Sequence, residues 1–295
     1  MSIFLTGSTG FVGKNIISYF NTRFSISKYN RETEININED IVIHLAGKAH
    51  DLKNVSFELD YYIANTQLTK QVFDQFLTSN AKVFITLSSV KAAADELKIK
   101  LTETHPENPI THYGKSKLLA EQYILSKEIP LDKRVYILRP CIIHGHGNKG
   151  NLNLLYSLVS KGLPWPLGLF ENSRSYLSIE NLCFIIRELI EREDIPSGLY
   201  NVADDVPLST NEVVKMIAES KGKKAKILNL SLSLIKQLAR VGDLLKLPLN
   251  SERLQKLTES YIVSNAKIKL ALEKQLPVSS KNGLIRTFQS FAHNG

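Results

Sequence analysis

The chain has 295 residues, 43% hydrophobic and 22% charged, with a formal net charge of +8. That length suffices for one large core or for a nucleotide-binding domain with a smaller partner, and the balance is that of a globular protein, which excludes a disordered chain. No apolar run reaches the ~18–20 residues of a membrane span, and the densest basic group, Lys221–Lys226, has no interleaved aromatics to stack bases, so neither a membrane span nor nucleic-acid binding is expected.

Residues 2–6 read as a short apolar strand, without the basic stretch or cleavage site of a signal peptide. The strand runs into Gly7-Ser-Thr-Gly10-Phe-Val-Gly13, and a helix is predicted over 11–20. Glycines directly after a strand and at the mouth of a helix suit a pyrophosphate: one for the tight turn, one for close backbone approach, one for helix–strand packing. The helix N-terminus adds free N–H groups and partial positive charge. A second strand is expected near 24–29. No acidic residue stands at its tip to hold an NAD ribose, whereas Arg31 or Lys28 could hold a 2′-phosphate, which favours NADP(H) weakly over NAD(H). Asp40–Gly47, apolar without alternation, reads as a buried parallel strand. Helix over 56–79, strand over 81–89, helix over 112–127 and strand over 134–138 follow. Alternating strands and helices mean an α/β fold, a Rossmann-type doubly wound parallel sheet.

The second half is expected to be a smaller, mostly helical domain, with helices over 150–161, 180–193, 209–220, 231–246 and 251–259. Helix 180–193 and a strand at 199–203 are expected to return to the first sheet. The expected NAD(P)-binding domain is therefore 1–149 plus roughly 178–205, and the substrate-binding domain 150–177 plus 206–295. The two cysteines, Cys141 and Cys183, sit in separate apolar segments and fit buried thiols in a reducing, cytoplasmic setting. His144-Gly-His146 has the tightest histidine spacing but no third ligand, so no metal is expected and a loop near the cofactor is preferred.

Tyr113-Gly-Lys-Ser-Lys117 carries the chemistry. Residues i and i+4 of a helix share a face, so the phenol and the ammonium can enter one site. A phenol ionises near pH 10, and a neighbouring ammonium lowers that value toward neutrality, where proton exchange is efficient. Leu87-Ser88-Ser89 lies at the C-terminal end of a predicted central strand, where open α/β sheets bind ligands.

Together these motifs resemble the extended short-chain dehydrogenases/reductases, in the nucleotide-sugar epimerase/dehydratase/reductase branch. Thr6-Gly-Ser-Thr-Gly-Phe-Val-Gly13 is similar to that family's T-G-x-x-G-F-[VI]-G. The likeness covers nearly the whole chain, through His44-Leu-Ala-Gly47, Gly47-Lys-Ala-His50, Asn65, Arg139-Pro140, Gly150-Asn151, Arg174-Ser-Tyr and Gly198-Leu-Tyr-Asn-Val202. It implies cofactor contacts at Gly7, Thr9, Gly10, Phe11, Val12, Gly13, Arg31, Leu45, Ala46, Gly47, Asn65, Tyr113, Lys117 and Pro140. It implies catalysis by Tyr113 as acid or base, with Lys117 tuning it and Ser89 holding the substrate oxygen. Ser88 is the second choice for that oxygen and a candidate substrate contact. Asn151 and Arg174 match residues that contact the nucleotide diphosphate, and a guanidinium suits phosphate bidentately. Arg253 is a further candidate, although by itself it reads as an exposed helix charge.

The implied reaction is hydride transfer between nicotinamide and a sugar carbon. Dehydratases of the family follow the serine or threonine with acidic residues or Asp-Lys; here Val90-Lys91 follows Ser89, which speaks against dehydration. The Ser-Ser-Val-Lys stretch looks most like 4-keto reductases of UDP-N-acetyl-dideoxyhexoses serving surface polysaccharides. A UDP-sugar 4-epimerase is the alternative, and a cofactor-binding regulator without turnover a further one. Family members often dimerise through the helix carrying Tyr113 and the one before it, so a homodimer is one assembly the resemblance allows. Only some ten residues separate Arg31 from the next strand, so the usual intervening helix is expected to be missing and the sheet to be short by a strand.

Overall fold

Strands apolar on both faces must be covered on both, and the chain meets this with helices either side of one parallel sheet. A computed structural model describes residues 1–49, 57–148, 150–245 and 250–292, with the side chains of Asn151 and Ala292 excepted. In chain order the elements are β1 (Ser2–Thr6), α1 (Phe11–Phe20), β2 (Ser25–Lys28), β3 (Ile41–His44), α2 (Glu58–Tyr61), a π-helical segment (Tyr62–Gln67) and α3 (Leu68–Thr78). There follow β4 (Val83–Leu87), a 3₁₀ turn (Val90–Ala92), α4 (His112–Leu125), β5 (Arg134–Pro140), β6 (Ile142–His144), α5 (Asn151–Ser160), β7 (Tyr176–Ser178), α6 (Ile179–Glu191) and β8 (Gly198–Val202). The chain closes with α7 (Thr210–Ser220), α8 (Leu232–Leu245), α9 (Ser251–Thr258), α10 (Ala266–Leu272) and α11 (Ser280–Ala292). Among the described residues no helix is long and apolar enough to cross a membrane.

Two compact units result. The first comprises 1–141, 179–203 and 263–277. Its six-stranded sheet runs β2-β1-β3-β4-β5-β8, parallel throughout, a doubly wound Rossmann-like arrangement. Every residue of β3 and β4 is buried. Phe4, Val42, Phe84, Val135 and Ile137 face α3 and α4, meeting Val72, Phe73, Phe76 and Ile124. Their strand neighbours Ile3, Leu5, Ile43, Ile85 and Leu138 point to the opposite face, as strand alternation requires. β1 has β2 on one side and β3 on the other, so the chain reverses direction there. The crevice at the carboxyl ends of β1 and β3 is where such sheets bind ligands.

Residues 29–40 carry no helix or strand. Residues 263–277, which the sequence reading groups with the second half, lie in the first unit because α10 packs on β8.

The second unit comprises 142–178, 204–262 and 278–295. A short parallel pair, β6 with β7, joins α5, α7, α8, α9 and α11 around Leu155, Trp165, Val213, Ile217, Ile235 and Phe288. The strand pair, α10 and α11 are absent from the sequence reading. Three-residue strands and a seven-residue helix are too short to show a period. In α11 the pattern Leu284, Phe288 is interrupted by Gly283 and Thr287, poor helix formers that burial overrides.

Candidate active site

The glycine turn divides into two kinds of glycine. Gly7 has φ +72°, and a Cβ there would lie 2.7 Å from the Ala46 nitrogen; a Cβ on Gly13 would lie 2.2 Å from the Gly7 carbonyl oxygen. Both are required by the protein's own packing. Gly10 is exposed, and its Cβ would meet only the Gly7 oxygen, at an ordinary 3.4 Å. It stands at the N-cap of α1 with no side-chain cap and no acidic residue in the first turn. The turn therefore leaves amide donors and open space at a positive helix end, a cradle that fits a pyrophosphate. Thr9 is exposed and Phe11 and Val12 half-buried at this turn.

A buried hydrogen-bond chain holds the turn against β3. Thr6 Oγ1 accepts from the amides of Leu45 (3.1 Å) and Ala46 (3.0 Å), so its own hydrogen goes to His44 Nδ1 at 2.8 Å. His44 then donates from Nε2 to Thr69 Oγ1 at 3.0 Å, and Thr69 donates to the Asn65 carbonyl at 2.6 Å. This fixes one neutral tautomer. Burial, with Lys117 nearby, lowers the His44 pKa to about 3 and keeps the ring uncharged. Thr6 and His44 are positioning residues that sequence reading did not single out as such.

The π-helical segment grips α4. Asn65 donates to Ser116 Oγ (3.0 Å) and to the Lys48 carbonyl (3.1 Å), and accepts from the Lys48 amide (2.8 Å). Thr66 donates to the Ser116 carbonyl at 2.8 Å. The extra residue of a π turn aims Asn65 and Thr66 together at α4, and such turns concentrate at functional sites. Asn65 thus spends both amide hydrogens within the protein, where it positions loop 45–48 and α4.

On α4, Tyr113 and Lys117 are half-buried and densely surrounded by protein atoms. Ser89 Oγ accepts from the Lys91 amide at 3.2 Å, leaving its hydrogen for the Tyr113 hydroxyl, with which it is bonded. Burial raises the Tyr113 pKa, opposed by that bond; Tyr61 and Glu121 push it further up. These surroundings favour the protonated phenol. Lys117 Nζ instead donates to the Leu87 carbonyl at 2.9 Å, and burial lowers its pKa to about 8, against the opposing effect of Glu121. A Cβ on Gly47 would lie 2.6 Å from Asn65 Oδ1 and 3.2 Å from Lys117 Nζ, so the strand end carries no side chain where these groups converge.

Beneath the pair lies a buried ion network. Glu121, one turn beyond Lys117, receives Arg139 Nε at 2.9 Å and a second bond from the same guanidinium, which also reaches the half-exposed Glu107. A cavity of about 10 Å³, room for about one water, is lined by Thr69, Thr86, Ser88, Lys117 and Glu121. Ser88 faces this cavity and the Glu121 carboxylate. It stands on the opposite side of the strand end from Ser89, as adjacent strand residues do, and acts there as a buried support. Tyr61, which no sequence motif marks, meets the Tyr113 ring edge-on at 6.3 Å.

The remaining candidates are scattered. Arg31 is an exposed turn residue and Pro140 is buried at the end of β5. Of Leu45, Ala46 and Gly47 after β3, only Gly47 is exposed. In the second unit, Arg174 is paired with Glu259 at 3.3 Å and the Lys256 carbonyl, while its Nε is buried without a partner. Arg253 is exposed in the first turn of α9. The Asn151 side chain and His50 lie outside the described residues. His144 is corrected from a loop position to a buried strand residue of the second unit, bonded to Thr287 at 2.9 Å and facing Asp204 at 3.5 Å.

Comparison with known proteins finds relatives in sequence and in fold. The family model described as NAD dependent epimerase/dehydratase family matches residues 26–203. A UDP-glucose 4-epimerase of Vibrio cholerae is 31% identical over 247 residues, covering 74% of this chain and 75% of that protein. An N-acetyl-alpha-D-glucosaminyl-diphospho-ditrans,octacis-undecaprenol 4-epimerase of Escherichia coli O157:H7 is 27% identical, covering 76% of this chain and 73% of that protein. The solved UDP-glucuronic acid 4-epimerase from Bacillus cereus in complex with NAD shares the fold with a TM-score of 0.75 at 18% identity, covering 99% of each chain.

Proposed function

The chain belongs to the NAD-dependent epimerase/dehydratase family, and from that premise we propose that it moves a hydride at C4 of a nucleotide-diphosphate-linked sugar, as a 4-keto reductase. When bound, a nicotinamide cofactor supplies the hydride. The protein supplies the rest: the Gly10 cradle and the α1 N-terminus hold the pyrophosphate, Ser89 holds the substrate oxygen, and Tyr113 gives that oxygen its proton. Lys117 stands between the Leu87 carbonyl and the strand end at Gly47, where it can reach a ribose hydroxyl.

The observation that carries the reading is the bond between Ser89 and the Tyr113 hydroxyl, one helical turn from Lys117 on α4. A ketone that accepts hydride needs a proton donor at its oxygen, and this phenol is the group placed to supply it. The bare connection between β2 and β3 also favours a reductase. β2 is the sheet edge and largely exposed among the described residues. A reductase must exchange its cofactor every turnover, whereas an epimerase regenerates its own. Arg31, exposed just after β2, is the side chain that would favour NADPH.

Dehydration is disfavoured. Val90 is buried, and Asp95 is occupied by the amides of Ile110 (2.6 Å) and Thr111 (3.0 Å), which it uses to tie the loop to α4. A second reading, 4-epimerase, is favoured by the two curated relatives, both 4-epimerases. Incubation with a UDP-4-keto-6-deoxy-N-acetylhexosamine and NADPH separates the two. Net consumption of NADPH supports the reductase; isomerisation of a UDP-hexose without net consumption replaces it with the epimerase.

A further inference from the structure

The positive charge of this chain is concentrated. Residues 221–256 hold nine basic side chains against two acidic ones, so one segment accounts for nearly all of the net +8. Within it lies α8, whose seat in the second unit is narrow: only Ile235, Ala239 and Gly242 are buried. Leu234, Leu238, Val241 and Leu245 recur at spacings of four, three and four, so they share one stripe of the helix beside that buried line. Each is between 43% and 61% exposed. Helical rotation puts Lys236 and Arg240 on the other flank of the buried line. A continuous aliphatic row of this kind marks an interaction surface, unlike single exposed leucines.

Charge selects the occupant. A second copy docking through the same stripe would bring two strongly basic segments together, which like-charge repulsion opposes. An anionic lipid surface reverses the sign of that interaction and accepts the aliphatic row in its acyl boundary. The helix has 14 residues and so spans about 21 Å, too short to cross a bilayer and suited to lying along one. We propose that α8 and the basic loop 221–226 form a docking face for an anionic membrane surface, with the Leu234–Leu238–Val241–Leu245 stripe in the headgroup boundary. Lys221, Lys223, Lys224 and Lys226 supply the long-range attraction, and the stripe supplies the anchoring. The inference is independent of the catalytic reading.

The test sediments the full chain with vesicles of phosphatidylcholine alone or with about one third phosphatidylglycerol. Binding is expected to the anionic vesicles at ~0.1 M salt, with at least about tenfold less on phosphatidylcholine and a similar loss at ~1 M salt. Leu238→Gln/Val241→Gln should cost about tenfold in partitioning, because the apolar contribution to interfacial binding scales with area. Both positions are exposed, so its thermal midpoint should match the parent's. Lys223→Gln/Lys224→Gln should also weaken binding while leaving the midpoint unchanged. Failure of the parent to bind anionic vesicles, or equal binding by the Leu238/Val241 variant, overturns the proposal. A dimer that the Leu238/Val241 variant dissociates, without lipid binding by the parent, would assign the stripe to a second copy and likewise overturn it.

Discussion

Tyr113 is a phenol whose surroundings oppose ionisation, and Lys117 is an ammonium whose surroundings oppose charge. Replacing Tyr113 by Phe removes the proton donor without altering the glycine turn. The expected result is a kcat lower by ~10²–10⁴, with cofactor affinity measured by fluorescence titration nearly unchanged. The Lys117 value of about 8 sets a pH limit: its charge is present below that pH and lost above it. Activity is therefore expected to fall on the alkaline side with an apparent pKa near 8. The Glu121 carboxylate favours the ammonium, so Glu121→Gln should move that alkaline limb to lower pH. The same variant leaves Arg139, fully buried, with Glu107 as its remaining carboxylate. Breaking a buried pair costs about 3–5 kcal/mol, and the retained Glu107 puts the expected loss in denaturant unfolding at about 3 kcal/mol.

Among the elements, the turn between β1 and α1 separates what the fold needs from what the ligand needs. Gly7→Ala places a side chain at φ +72° against the Ala46 amide and should destabilise by about 2–4 kcal/mol. Gly10→Ala meets no such obstacle, so its unfolding midpoint should stay near the parent's. Its cofactor affinity should fall roughly tenfold, the equivalent of about one charge-assisted hydrogen bond of ~1.5 kcal/mol. Equal effects of the two substitutions on stability would contradict this division. The sequence exposed the elements that repeat with a period: the apolar strands, α1, α4 and the Tyr113–Lys117 spacing were all legible. The π-helical segment was not, because an extra residue inside a helix leaves no mark on composition. Nor were the Thr6–His44–Thr69 chain and the Arg139–Glu121–Glu107 network, which join residues far apart in sequence. Asn65 and Ser88 lie where the sequence motifs locate the site, and both are buried there.

At the scale of the whole molecule, a cofactor that binds only the folded chain must stabilise it. NADPH at ~100 times its Kd should add about 2.7 kcal/mol and raise the thermal midpoint by about 4 °C. A larger rise with NADPH than with NADH at equal concentration would assign Arg31 to the 2′-phosphate, and Arg31→Ala should abolish the difference. Both measurements leave the chemistry itself untested. The most direct test follows the hydride: the protein is given NADPH deuterated at the transferable position of the nicotinamide C4 and a UDP-4-keto-6-deoxy-N-acetylhexosamine, and the sugar is read by mass spectrometry and NMR. The account predicts one deuterium at sugar C4 in the product of the parent chain and almost none with Tyr113→Phe. Unlabelled product, label at another carbon, or undiminished labelling by Tyr113→Phe would contradict it.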